Sequence, residues 1–173
     1  MADFTKNHFG SKTVEYETPE SIFAPLNAEF HFTVDVCATQ ENKKVERCYT
    51  KTENGLTKEW EGVCWCNPPY GRAMPQWLKK AYKTAQAGMA TVVMLIPART
   101  NTAWWHDICM KGEIRFLRGR PKFNDGKNGI PFPLALVIFR KRVEKEYQKP
   151  EGCFDSSSAK ISTEKSINRF FHR

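Results

Sequence analysis

An α/β domain built on a mostly parallel sheet is predicted by three features of this chain. Strand-like and helix-like stretches alternate along most of its length, the sequence mark of parallel strands joined by crossovers. Thr91-Val92-Val93-Met94-Leu95-Ile96-Pro97 is a continuous apolar run, as expected of a strand covered on both faces. The apolar run Val63-Cys64-Trp65-Cys66 leads without a spacer into Asn67-Pro68-Pro69-Tyr70. A polar, rigid turn therefore sits at a strand end, where open parallel sheets bind ligands.

The elements follow in order. Thr18-Pro19-Glu20-Ser21 opens a short helix over residues 18–27, with Thr18 as N-cap and Pro19 in the first turn, where a missing N–H costs nothing. Phe23 and Leu26 give it an apolar face. Residues 30–38 are rich in β-forming side chains and make the first core strand, ending in Asp35-Val36-Cys37-Ala38. Residues 45–50 predict a shorter second strand and 62–66 a third. Over residues 75–87, Trp77, Leu78, Ala81, Tyr82 and Ala85 recur at helical spacing and stop at Gly88, which predicts a crossover helix. The strand at 91–97 is followed by a helix at 102–110 ending near Gly112. Strands at 113–117 and 134–140 are joined by a loop carrying Arg118, Arg120, Lys122, Lys127 and three prolines. With no helix between them, this last pair is expected to be antiparallel. From residue 143 the chain is charged and Ser-rich. The expected organisation is one domain over residues 1–142 and a tail or docking arm over 143–173.

At 173 residues the chain suffices for one domain with a real core. Its 27 Lys and Arg against 19 Asp and Glu give a net charge of +8, which favours polyanionic partners through attraction and counterion release. No apolar run approaches the ~20 residues of a membrane span, and the first residues lack a signal peptide's basic and apolar regions, so a soluble, cytoplasmic protein is expected. Six cysteines, at 37, 48, 64, 66, 109 and 153, do not show the tandem C-x₂₋₄-C pairs of zinc sites. They read as reduced structural thiols, and no metal is expected. His8, His31, His106 and His172 form no catalytic pattern.

Asn67-Pro68-Pro69-Tyr70 reads in two ways. It is an ordinary Pro-rich turn, or it is a clamp for an amino group on a flat ring. An exocyclic amine conjugated to a nucleobase is a poor nucleophile. Two acceptors, Asn67 Oδ1 and the Pro68 carbonyl, would hold its hydrogens and favour a pyramidal nitrogen, while Tyr70 stacks on the ring. Asp35 likewise is either a structural strand-end acid or a partner for an ammonium group, with small Cys37 and Ala38 letting a bulky ligand approach the backbone. If the two strands are neighbours, both motifs face one crevice.

Thr18-Pro19 with Ile22-Phe23, Phe32 through Thr39, Asn54-Gly55-Leu56 with Trp60, Asn67-Pro68-Pro69-Tyr70-Gly71, Leu95 through Thr100 with Trp104 and Trp105, and Arg118-Gly119-Arg120 together resemble the phage-type DNA N6-adenine methyltransferase (Dam-like) family. The resemblance covers residues 14–140. It implies S-adenosylmethionine as methyl donor, DNA as partner, and the host-cell cytoplasm if the protein is phage-encoded. The implied architecture is a Rossmann-like methyltransferase fold, mostly parallel, with an antiparallel strand near its C-terminal end. Carried over, Thr18, Pro19 and Phe23 would line the cofactor's amino-acid end, and Asp35, Cys37 and Ala38 the end of the first strand beside it. Asn54 and Leu56 would lie near the adenosyl end. Asn67, Pro68, Pro69 and Tyr70 would form the catalytic turn, Asn67 also touching the cofactor. Arg99, Arg118, Arg120 and Lys122 are candidates for DNA contacts, and Trp104 and Trp105 for a wedge or for the core, with at least one of them core.

The chain departs from the family pattern twice. Many adenine methyltransferases carry Asp where this chain has Asn67, and a neutral amide keeps the acceptor but argues against a formal base. The interval from Asp35 to Asn67 is short, so the sheet is expected to lack or reduce one strand and its helix. That leaves the ribose-binding acid unassigned, with Glu53 a guess. The expected reaction is in-line methyl transfer to a flipped adenine, without a metal or a covalent enzyme intermediate. Two alternatives stay open: the same cofactor with an RNA base or a protein glutamine as acceptor, and a non-catalytic nucleic-acid-binding domain.

Overall fold

The computed structural model describes residues 16–121 and 130–143; Lys122, Lys127, Cys153 and the segment beyond residue 143 lie outside the described residues. Within them the strands β1 (Val34–Ala38), β2 (Cys48–Thr50), β3 (Gly62–Cys66), β4 (Ala90–Pro97), β5 (Glu113–Phe116) and β6 (Leu134–Phe139) form one sheet in the order β2-β1-β3-β4-β6-β5. β2, β1, β3 and β4 run parallel, and β6 is antiparallel to both its neighbours, β4 and β5. This is the Rossmann-like methyltransferase arrangement implied by the resemblance. The chain leaves β1 outward to β2 and returns on the other side of β1 as β3. The topological switch point therefore lies between β1 and β3, where such sheets bind ligands. Between β1 and β3 there is the three-residue β2 and a 3₁₀ turn at Gly55–Thr57, but no α-helix.

Helices cover both faces. On one, α1 (Glu20–Phe30) sets Phe23 and Leu26, with Phe32, against Trp65, Val93 and Leu95. On the other, α2 (Met74–Gln86) sets Trp77, Leu78, Ala81 and Ala85 against Val34, Val36, Cys64, Cys66, Val92 and Met94. Successive β4 residues thus serve opposite layers, which is why its sequence is apolar without alternation. Each fully buried Val or Leu contributes roughly 1.5–3 kcal/mol, so β3 and β4 anchor the edge on which the site is built.

Several boundaries differ from expectation for local reasons. Pro19, not Thr18, is the N-cap of α1, and its carbonyl accepts the N–H groups of Ile22 (3.0 Å) and Phe23 (3.1 Å). Thr18 does not cap because its hydroxyl is engaged by Asn67. The helix runs on to Phe30 and ends at His31, which takes a left-handed conformation (φ 54°). β1 accordingly begins at Val34 and not at Phe30. The aromatic residues that suggested an early strand turn a corner instead, with Phe30 and Phe32 stacked at 5.8 Å. β2 begins at Cys48, and Val45 packs against the core ahead of it. The helix expected at 102–110 is α3 (Ala103–Asp107) followed by a 3₁₀ turn at Cys109–Lys111, a break that buries both Ile108 and Cys109. Trp105 is core, whereas Trp104 is half-buried. Among the described residues no helix is long and apolar enough to cross a membrane.

Candidate active site

Register places Val34 beside Cys64 and Asp35 beside Trp65, so β1 runs on past the carboxyl end of β3 and flanks the turn that follows Cys66. A cavity of about 340 Å³ opens there. Of the residues singled out from sequence, Thr18, Asp35, Cys37, Ala38, Asn54, Asn67, Pro68 and Pro69 line it. Pro19, Phe23 and Leu56 do not. Pro19 caps α1, Phe23 stacks on Phe32 at 5.6 Å within the core, and Leu56 packs against the α2 side of the core. Glu53 is also outside the lining, its carboxylate accepting the Thr50 N–H (2.9 Å) and hydroxyl (2.8 Å).

Asp35 is only 2% exposed. Its Oδ1 accepts the Cys37 N–H (3.2 Å) and its Oδ2 the Lys44 N–H (3.1 Å), tying the β1–β2 loop to the strand. Burial raises its carboxyl to about 6, opposed by those two N–H donors and the Lys44 charge. The same loop is closed by a reciprocal pair, Thr39 N–H to Asn42 Oδ1 (2.7 Å) and Asn42 N–H to Thr39 Oγ1 (3.2 Å). Side-chain bonds to backbone thus form the wall that a crossover helix would otherwise supply. Opposite, Gly55 brings bare backbone to the cavity: a Cβ there would collide with the Val36 carbonyl and touch Trp77. Trp60 Nε1 holds the Gly55 carbonyl at 2.8 Å.

Asn67 donates from Nδ2 to the Tyr16 carbonyl (2.6 Å) and to Thr18 Oγ1 (3.0 Å). A carbonyl can only accept, so the nitrogen must face Tyr16 and the amide orientation is determined. Both amide hydrogens are engaged, and Oδ1 has no donor among the described residues. Tyr70 lies half-buried beside this group and outside the cavity lining. Its ring meets Tyr16 at 5.4 Å and, edge-on, Phe132 at 5.8 Å, and its hydroxyl donates over a long 3.4 Å to the Leu95 carbonyl. Burial pushes that hydroxyl up from its ordinary range, so it stays neutral. Sequence reasoning missed Tyr16 and Phe132. Their nearest signals are the place of Tyr16 just ahead of Thr18 and the Pro131-Phe132-Pro133 run.

Arg99 follows β4, Arg118 and Arg120 follow β5, and all three are exposed. Because β4 and β5 are both antiparallel to β6, they point the same way, and these arginines share the carboxyl edge with Asn67. Arg72, just after Tyr70-Gly71, is a fourth exposed arginine on this edge that the sequence reading did not single out. Cys64 and Cys66 are buried, and desolvation raises the Cys64 thiol to about 12 and Cys66 well above its usual range.

Residues 8–157 match the family model described as DNA N-6-adenine-methyltransferase (Dam). The DNA N-6-adenine-methyltransferase of Haemophilus phage HP1 (strain HP1c1) is 34% identical over 153 residues, spanning 82% of this chain and 84% of the phage protein. The protein of the same name from Escherichia phage T1 is 34% identical over 94 residues, 52% of this chain and 38% of its own. The segment matched by the family model contains every described strand and helix together with the whole cavity lining, and the chain belongs to the DNA N-6-adenine-methyltransferase (Dam) family.

Proposed function

We propose that the protein transfers a methyl group from S-adenosylmethionine to the N6 amino group of adenine in DNA, acting on a base turned out of the duplex. The observation that carries this is the bonding of Asn67: its nitrogen is held by Tyr16 and Thr18, which leaves Oδ1 as a positioned acceptor on a residue that lines the cavity and is tied to the Tyr16–Tyr70–Phe132 cluster. A cavity of about 340 Å³ is within the size range of small-molecule sites. Its lining suits a zwitterionic nucleoside: the Glu17 carboxylate, 3.4 Å from Lys44 Nζ, and the Asp35 carboxylate supply negative charge for an ammonium group, Lys51 and Asn54 are polar partners, and the Trp65 and Trp77 rings are apolar walls. Bound there, S-adenosylmethionine would supply a sulfonium methyl for N6, with its sulfur as the leaving group in the form of a neutral thioether.

The chain's own residues do the rest. Thr18, Asp35, Cys37, Ala38, Asn54 and Asn67 bound the cofactor. Asn67 Oδ1 and the Pro68 carbonyl accept the two amine hydrogens and draw the N6 lone pair out of conjugation. Tyr70, backed by Tyr16 and Phe132, offers a ring on which the base stacks, offsetting part of the cost of leaving the duplex. Alignment of amine and methyl supplies most of the acceleration. Asn67 cannot take a proton, so the methylated amine loses its proton to solvent.

The test uses tritiated S-adenosylmethionine and duplex DNA lacking N6-methyladenine, with the DNA digested to nucleosides. Label is expected in N6-methyldeoxyadenosine. Asn67→Ala should lower the rate by about 100-fold, as loss of a preorganised polar group does, with a much smaller loss of calorimetric cofactor affinity. Unlabelled deoxyadenosine, with label taken up by RNA or protein offered in parallel, would overturn the proposal, as would DNA binding without any affinity for S-adenosylmethionine.

A further inference from the structure

We infer that Phe116, stacked on Trp105 at the carboxyl edge of the sheet, is the side chain that enters the DNA stack where the target base leaves. The inference rests on the proposal that the protein acts on a base flipped from duplex DNA. Phe116 is 66% exposed, while Trp105 beneath it is 3% exposed, and their rings stack at 6.2 Å and 23°. A buried Trp thus supports one face of the Phe116 ring and leaves most of the ring in solvent. Its position separates it from the other exposed large apolar residues described, Met89, Met110 and Val143. Met89 precedes β4, Met110 lies just ahead of β5, and Val143 follows the antiparallel β6, so all three sit toward the opposite edge of the sheet.

Register sets the spacing. Phe116 pairs with Ala135, Ala135 with Ile96, and Met94 with Cys66, so Phe116 stands level with the turn after Cys66, three strands across. At ~4.8 Å per strand that is about 14 Å along the edge, on the scale of a duplex groove. Arg118 and Arg120 follow directly and Arg99 lies between, all exposed, so the apolar ring is set among groups suited to phosphates. Apolar wedges that part a base step are placed in this way, with cations on the flanking backbone. A second copy pairing along the β5 edge is the competing occupant. The exposed arginines favour DNA, because a polyanion neutralises them whereas a second copy of a chain of net charge +8 does not.

The probe is a closed circular plasmid lacking N6-methyladenine, relaxed by a topoisomerase with the full-length protein bound, and labelled in parallel with tritiated donor. Wild type is expected to shift the topoisomers, since a wedge unwinds DNA. Phe116→Ala should abolish that shift and lower labelling by about tenfold or more, the scale of one lost base–aromatic stack, with cofactor affinity unchanged. Phe116→Trp should retain both. No topoisomer shift by wild type overturns the inference, as does a shift that survives in Phe116→Ala. Parallel loss of cofactor affinity would assign Phe116 to folding instead, and a dimer that Phe116→Ala dissociates without changing the unwinding would assign the surface to self-association. If wild type shifts the topoisomers through Phe116 but labels no adenine, the wedge stands and the proposed reaction fails.

Discussion

Asn67→Asp replaces one NH₂ by an oxygen and so inverts the polarity that faces Tyr16. The Thr18 contact survives, because a hydroxyl can donate as well as accept, but the Tyr16 carbonyl, now 2.6 Å from a donor, would meet a second acceptor. Losing the bond removes ~0.5–1.5 kcal/mol, and leaving the carbonyl unpaired costs ~1–3 kcal/mol if no water replaces the donor. Both groups are half-buried, which lowers the sum, and we expect a loss of about 2 kcal/mol at neutral pH, or roughly 4–8 °C in Tm. Protonation restores the donor. The folded-state pKa of the new carboxyl is therefore raised above its unfolded value of ~3.9, so the variant's stability is fully recovered below ~3.9 and lost as pH rises through the folded pKa. Thermal and urea unfolding of both proteins at acid and neutral pH measure the gap. A variant as stable as wild type at neutral pH, or a gap independent of pH, would falsify the assigned amide orientation.

Asp35 gives a second pH effect of known sign: its carboxyl stands at about 6 against 3.8 unperturbed, so its favourable contribution is complete below pH 3.8 and lost as pH rises through 6. At ~1.36 kcal/mol per unit this is about 3 kcal/mol, and a stability difference between Asp35→Asn and wild type that stays constant across this window in urea titrations would contradict it. Gly55→Ala should cost about 1–3 kcal/mol, because its Cβ drives into the Val36 carbonyl, and should weaken S-adenosylmethionine binding by calorimetry; an unchanged melt and unchanged affinity would show that the turn shifts freely. Tyr70→Phe should keep methyl transfer within about threefold, because the hydroxyl bond is long, whereas Tyr70→Ala should lose about tenfold with the ring; equal losses in the tritium assay would transfer the role to the hydroxyl.

The parts of the fold legible in the sequence are those set by short-range pattern. The strand-to-turn step at Cys66-Asn67, the unbroken apolar β4 and the helical spacing of Trp77, Leu78, Ala81 and Ala85 all depend on neighbours in the chain. The antiparallel relation of β5 and β6 followed from the lack of a helical sequence pattern between them, but the placement of β6 beside β4 is a long-range pairing that no local pattern encodes. Phe30 and Phe32 show the limit of composition: they are good strand formers that stack across a helix-to-strand corner. Thr18 has N-cap chemistry but spends its hydroxyl on a residue far along the chain. Asp35 was legible as an acid at the crevice, but it is the second residue of β1 and not at its end, and the capture of its two oxygens by loop N–H groups depends on how residues 39–44 fold back.

β6 follows every other described strand in sequence yet lies between β4 and β5. The order of synthesis and the order of the sheet therefore disagree. Before residues 134–139 are free to fold, β1 through β4 can already pair and bring the cavity lining together, but β4 presents a bare edge and β5 has no neighbour in the sheet. Only the arrival of Leu134–Phe139 joins them, a non-local closure of the kind that comes late in folding. Phe116 lies on β5, Arg118 and Arg120 follow it, and β5 joins the sheet only through β6, so the cavity can assemble before the arginine-bearing edge that we propose meets DNA.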